Sequence, residues 1–168
     1  MSKSVVVVGM GEMGSVFARG FLRLGYTVHP VTRAMEMKTV AQTVDSPELV
    51  LLAVGEADLH RQLVRIPEAW KDRLVLLQNE LLPGDWQKYN LQPTVISVWF
   101  EKKKGQDSRV IIASPVYGKH AQLVADALAS IDIAAVVLAD EAALIHERVL
   151  KNVYILTTTI AGGEVGGK

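Results

Sequence analysis

Residues 3–14 read KSVVVVGMGEMG. Four valines in a row favour an extended chain, because two heavy atoms on Cβ crowd a helix and suit a pleated surface. The run is apolar throughout rather than alternating, which predicts a strand buried on both faces and so a parallel sheet covered by helices. Gly9, Gly11 and Gly14 follow as a complete G-x-G-x-x-G. Beyond them Met13, Val16, Phe17, Gly20 and Leu24 recur at helical spacing up to Gly25, a helix stop. In a strand–turn–helix of this kind, the first glycine allows a tight turn, the second a close backbone approach to a pyrophosphate, and the third a helix packed hard on the sheet. The N–H groups opening the helix then face the anion. Residues 9–14 (Gly9, Met10, Gly11, Glu12, Met13 and Gly14) are therefore candidate cofactor contacts. The competing reading is a glycine-rich turn with no ligand. The buried strand before it and the helix after it favour the ligand.

Working outward, the pattern alternates. Residues 26–32 (YTVHPVT) form a second strand, in which Pro30 is tolerated only at a sheet edge or an unpaired position. Residues 34–44 suit a short helix, 46–54 (SPELVLLAV) a buried strand, 56–66 a helix with Leu59, Leu63 and Ile66 on one face, and 73–79 (RLVLLQN) a further strand. A strand over 94–100 (TVISVWF) and a neighbour over 108–114 flank the polar turn EKKKGQD. A helix over 118–131, a strand over 134–139 and a last helix opened by Asp140 as N-cap complete the pattern. Strands alternating with helices at this spacing mean an α/β fold: a Rossmann-type, doubly wound, largely parallel sheet. The expected division is a dinucleotide-binding domain over 1–139 and, over 140–168, the opening helix of a helical second domain that is truncated or missing.

The end of the second strand selects the dinucleotide. An NAD site has an acid there, accepting from the ribose 2′-OH. This chain has Thr32 and Arg33, with Glu36 only later. A guanidinium can pair bidentately with a 2′-phosphate, so NADP is the expected cofactor. Otherwise Arg33 is a solvated loop cation. Ala53, Val54 and Gly55, where the third buried strand ends, and Asn79, where the fourth ends, stand where open α/β sheets bind ligands. Gly55 either leaves room for the cofactor or only starts a turn, and Asn79 either meets the ligand or caps a loop.

Other classes are excluded by composition. Lysine plus arginine balance aspartate plus glutamate at 18 each, so no excess of positive charge points to nucleic acid or an anionic membrane. There is no cysteine, hence no disulfide and no thiolate nucleophile or metal ligand. No apolar run reaches the length of a bilayer span, and a cytoplasmic location is expected. The four histidines have no metal-site spacing, and no metal is assigned. The lysine run at 102–104 reads as a solvated hairpin tip, with attraction of phosphate or substrate the lesser alternative.

With these pieces placed, the chain resembles the ketopantoate reductase family of PanE/ApbA type. VVVVGMGEMGSVFARGFLRLGYTV matches the family's opening, and Arg33 stands at its 2′-phosphate arginine. LLQNELL resembles the strand whose asparagine lies near nicotinamide ribose and substrate, here Asn79. SVWFEKKKGQDSRVIIAS resembles the family's basic hairpin, and HERVLKNVYILTTTIAGG the helix that carries its lysine acid, here Lys151. The resemblance implies an NADP-dependent reductase of a 2-keto acid or similar carbonyl, with Lys151 as the catalytic residue and a small-molecule carbonyl substrate. From its residues alone, Lys151 also suits a surface helix pair with Glu147. The chain departs from the family at Glu56, where a lysine is usual, at Glu80, where a glycine is usual, and at Ile155 and Thr159, where asparagines are usual. Three readings of the chain's end follow: a piece of a longer oxidoreductase, a small reductase that completes its cleft as a homodimer through the last helix, or a non-catalytic dinucleotide-binding or assembly module.

Overall fold

The computed structural model describes residues 3–77, 91–102, 105, 109–110, 112–140 and 142–143. Strand β1 (Ser4–Val8) runs into helix α1 (Glu12–Arg23) and then strand β2 (Thr27–Val31). Helix α2 (Met37–Thr43) leads to β3 (Val50–Leu52), and α3 (Glu56–Leu63) with a 3₁₀ turn (Glu68–Trp70) leads to β4 (Leu74–Leu77). Strand β5 (Thr94–Ile96) is followed by two short strands, β6 (Phe100–Glu101) and β7 (Arg109–Val110). Then come β8 (Ser114–Tyr117), α4 (Ala121–Ala129) and β9 (Ala135–Val137).

Seven strands form one sheet in the order β2-β1-β3-β4-β5-β8-β9. Its first five strands are parallel throughout; β8 pairs antiparallel with β5 and parallel with β9. The valine run occupies the interior position that its composition predicts. Val5 and Val7 join the core on one face with Phe17, Phe21, Val124 and Leu128 of α1 and α4. Val6 and Val8 join the other, with Met37, Leu59, Leu63 and Trp70 from α2, α3 and the 3₁₀ turn. Two helical layers thus cover one sheet, and the two-residue period of a strand sends alternate valines to each. Pro30 is accommodated because β2 is an edge strand.

Two strand expectations are corrected. Residues 94–100 do not form one strand: the chain leaves the main sheet after Ile96, and β6 pairs with β7 in a separate two-stranded ribbon. Ser97 N–H still donates to Pro115 C=O at 3.0 Å, but Trp99 N–H turns to the Ser114 hydroxyl at 2.9 Å. Pro115 has no N–H to return, so the β5–β8 ladder cannot continue there. The second correction is β8 itself, which spans Ser114–Tyr117 rather than ending at 114. The Pro115 that disguises it as a break supplies a carbonyl to the ladder and needs no donor.

Candidate dinucleotide site

The sheet order creates the site. From β1 the chain goes to β2 on one side, then crosses back to β3 on the other, so the C-terminal ends of β1 and β3 flank a switch in winding direction. A crevice opens at such a point, and open α/β sheets bind ligands there.

The candidate residues converge on it. Gly9, at the end of β1, has φ +92° and donates to Val31 C=O at 2.9 Å, tying the loop to the end of β2. A Cβ on Gly9 would lie 2.5 Å from Ala53 C=O and 3.3 Å from Val54 Cγ1. Ala53 N–H in turn donates to Val8 C=O at 2.8 Å. A Cβ on Gly14 would collide with Gly9 C=O and touch Ala53 Cβ at 3.4 Å. Both glycines are required by the meeting of α1, β1 and β3. Gly11 differs: a Cβ there would meet nothing within 4 Å. It is the N-cap of α1 and points to open space. The structure has no steric use for this glycine, whereas a ligand approaching the backbone would.

Helix α1 makes its first intrahelical bond from Ser15 N–H to Gly11 C=O at 2.9 Å. The N–H groups of Glu12, Met13 and Gly14 precede it and have no partner within the helix. Met10 is 37% exposed beside them. At the end of β2, Thr32 and Arg33 are exposed, and Thr32 C=O accepts from Met35 N–H at 3.0 Å. Among the described residues no carboxylate stands within ion-pair distance of Arg33. On the far side, half-buried Ala53 and Val54 lead to exposed Gly55, the N-cap of α3, where a Cβ would also meet nothing within 4 Å. The crevice therefore gathers Gly9–Gly14, Thr32, Arg33 and 53–55. Asn79 and Lys151 lie outside the described residues.

One residue was misread from sequence alone. Lys102 is not a solvated tip: its side chain is 17% exposed, and Nζ lies 3.3 Å from Glu12 Oε2 at the start of α1. A signal for it existed, since an acid in the first turn of α1, inside the glycine motif, can draw a counter-charge.

No protein-family model matches the sequence, and no curated protein matches it. Solved structures do resemble it. A PanE/ApbA family ketopantoate reductase from Ralstonia eutropha JMP134 superposes with TM-score 0.58 at 14% identity, over 82% of this chain and 57% of its own. A V8 variant of the imine reductase from Myxococcus stipitatus, in complex with NAD+, gives TM-score 0.62 at 18% identity, over 99% of this chain and 64% of its own. A reductive aminase from Aspergillus terreus, in complex with NADPH and ethyl levulinate, gives 0.56 at 14%, over 97% and 65%. This chain thus spans less than two thirds of the length of each. The resemblance to ketopantoate reductase read from the sequence is met at the level of fold: this chain is a Rossmann-type α/β domain of the kind found in a ketopantoate reductase and in imine reductases.

Proposed function

We propose that this chain binds NADP and acts as an oxidoreductase of ketopantoate-reductase type, reducing a 2-keto acid or similar carbonyl. The observation that carries the reading is the open space at Gly11, where α1 begins with three N–H groups lacking intrahelical partners, together with the exposed Arg33 at the neighbouring strand end, which has no ion pair among the described residues. The donor set fits a dinucleotide: backbone N–H groups for the pyrophosphate and a guanidinium fork for a 2′-phosphate. When bound, the cofactor supplies the hydride.

The chain's own residues bind and orient. Gly9 and Gly14 hold strand and helix close enough for the loop to form the cradle, and 53–55 make its opposite wall. Arg33, rather than a carboxylate, favours the phosphorylated ribose. We assign Lys151 the role of general acid, since an ammonium beside a carbonyl oxygen stabilises the charge that develops there and delivers the proton. Asn79 is assigned to the nicotinamide ribose and the substrate. Both assignments rest on the family resemblance. Residues 140–168 are read as the opening of a helical second domain, supported by the bond from Ala143 N–H to Asp140 Oδ1 at 2.7 Å, the bond of a helix N-cap. A cytoplasmic homodimer completes the proposal.

Thermal-shift titrations with NADPH and NADH in parallel test it. A ligand at 100 times its Kd stabilises the native state by about 2.7 kcal/mol, so a tight cofactor shows plainly. NADPH is expected to shift the midpoint more than NADH, and Arg33→Glu to reverse the order. Equal responses in both proteins would sink the 2′-phosphate assignment, and no response to either would sink the site. Lys151→Ala is expected to abolish carbonyl reduction while leaving the NADPH shift intact.

A further inference from the structure

Glu12 is the first residue of α1 and the only acid within the glycine motif. A carboxylate there favours the helix, whose N-terminal end carries partial positive charge. The same carboxylate repels an anionic ligand arriving at those N–H groups. Lys102 answers it from 90 residues along the chain, at 3.3 Å. Its side chain is 17% exposed against 44% for Glu12, so the cation is the more enclosed partner. Nor is it a swinging surface charge. Phe100, two residues before it, is 4% exposed, and its ring packs on Phe17 of α1 with centroids 5.9 Å apart. Two contacts therefore fix the β6 strand along the first turns of the helix.

We propose that Lys102 is a positioning residue for the cofactor: it holds and neutralises the Glu12 carboxylate so that the start of α1 can receive a pyrophosphate. The inference rests on reading the crevice as a dinucleotide site. It makes the β6–β7 ribbon part of the cofactor site through charge, with no need for the ribbon to touch the ligand. The two side chains are coupled through this contact. Removing the lysine exposes the phosphates to an uncompensated carboxylate, and removing both restores the balance.

A double-mutant cycle on NADPH affinity tests this, with Lys102→Met, Glu12→Gln and the pair combined, at low and high salt. Lys102→Met is expected to weaken binding about fivefold at low salt, the scale of one charge contact near 4 Å in water. The loss shrinks as salt rises. Glu12→Gln, which keeps the backbone N–H and removes only the side-chain charge, binds more tightly than wild type at low salt, the double variant regains the affinity lost in Lys102→Met, and Lys102→Arg binds as wild type does. A loss in Lys102→Met that persists undiminished in the double variant, or that ignores salt, overturns the inference and leaves Lys102 a purely structural anchor of the ribbon. If wild type binds NADPH and the cycle is additive, this inference alone falls. If wild type binds neither NADPH nor NADH, the dinucleotide reading falls and takes this one with it.

Discussion

Two strand–glycine–helix turns stand at opposite edges of the same sheet, and only one of them is open. After β1, Gly9 takes φ +92° and is wedged against Ala53; after β8, Gly118 takes φ +136°, and a Cβ on it would lie 2.5 Å from Thr94 Cα. Each turn then enters a helix, α1 or α4. Because β8 runs antiparallel to β5, its turn lies beside Thr94, where β5 begins, away from the edge where β1 and β3 end. There the protein itself takes up two N–H groups at the entry to the helix. Thr94 Oγ1 accepts from His120 N–H at 2.8 Å, and Gly118 C=O from Ala121 N–H at 3.1 Å. Neither N-cap residue, Gly11 at α1 or His120 at α4, makes a side-chain cap bond. A left-handed glycine before a helix is therefore not in itself a ligand site. What separates the two is that Thr94 accepts from the N–H that enters α4, whereas Gly11 at the start of α1 faces open space.

The steepest loss is expected at the open turn. Gly14→Val forces a side chain into Gly9 C=O, which is backbone and cannot swing aside. Overpacking of this kind costs about 3 kcal/mol or more, read as a lower midpoint in chemical denaturation, and NADPH binding is lost with it. Gly11→Ala is the companion. With nothing within 4 Å and φ −75°, it leaves stability within about 0.5 kcal/mol, yet it is expected to weaken NADPH binding more than tenfold, the size of one lost close contact. If Gly11→Ala binds normally, the open space at α1 is not a cradle and the contrast between the turns dissolves.

The closed turn should respond in the opposite sense. Gly118→Ala meets both an unfavourable φ and the Thr94 backbone, and is expected to cost about 1–3 kcal/mol in denaturation. NADPH affinity, measured on the folded fraction, stays at the wild-type value. A cofactor defect in this variant would mean the two edges are coupled.

The smallest effect is a pH dependence at the same closed turn. Burial holds the His120 imidazole below its ordinary value of 6.5. The Lys119 and Arg73 charges push the same way, while a hydrogen bond with the Asp72 backbone and the Glu48 charge oppose them. Among the described residues, His120 Nε2 is buried without a hydrogen-bond partner. The folded protein thus binds this proton less readily than the unfolded chain. Stability is complete above the ordinary value and declines as pH falls through it towards the lower folded value. Denaturation midpoints between pH 8 and pH 5 are expected to fall less steeply in His120→Gln than in wild type; equal slopes would remove His120 as the cause.

Much of this was legible in the sequence, and the legible part is local. The valine run, the G-x-G-x-x-G and the apolar spacing of α1 are statements about neighbours along the chain, and each specifies its element through sterics and periodicity alone. Even Pro30 carried its own condition, an edge position, which β2 occupies. The absence of an acid after β2 was equally readable, because the residue that follows a strand end is set by the chain itself. The failures share one cause. The break after Ile96, strand β8 hidden behind Pro115, and Lys102 paired with Glu12 all depend on partners far away in sequence.

Residues adjacent along the chain dictate that a buried strand turns on glycines into a helix, and that the donors there suit an anion. They could not say which of two similar turns would remain open. That was decided by strand order and direction: β1 and β3 run side by side and end at one edge, while reversal of β8 carries its glycine to the other, where Thr94 closes it. Local sterics fix a turn's shape, but only the packed sheet decides what its unpaired donors face.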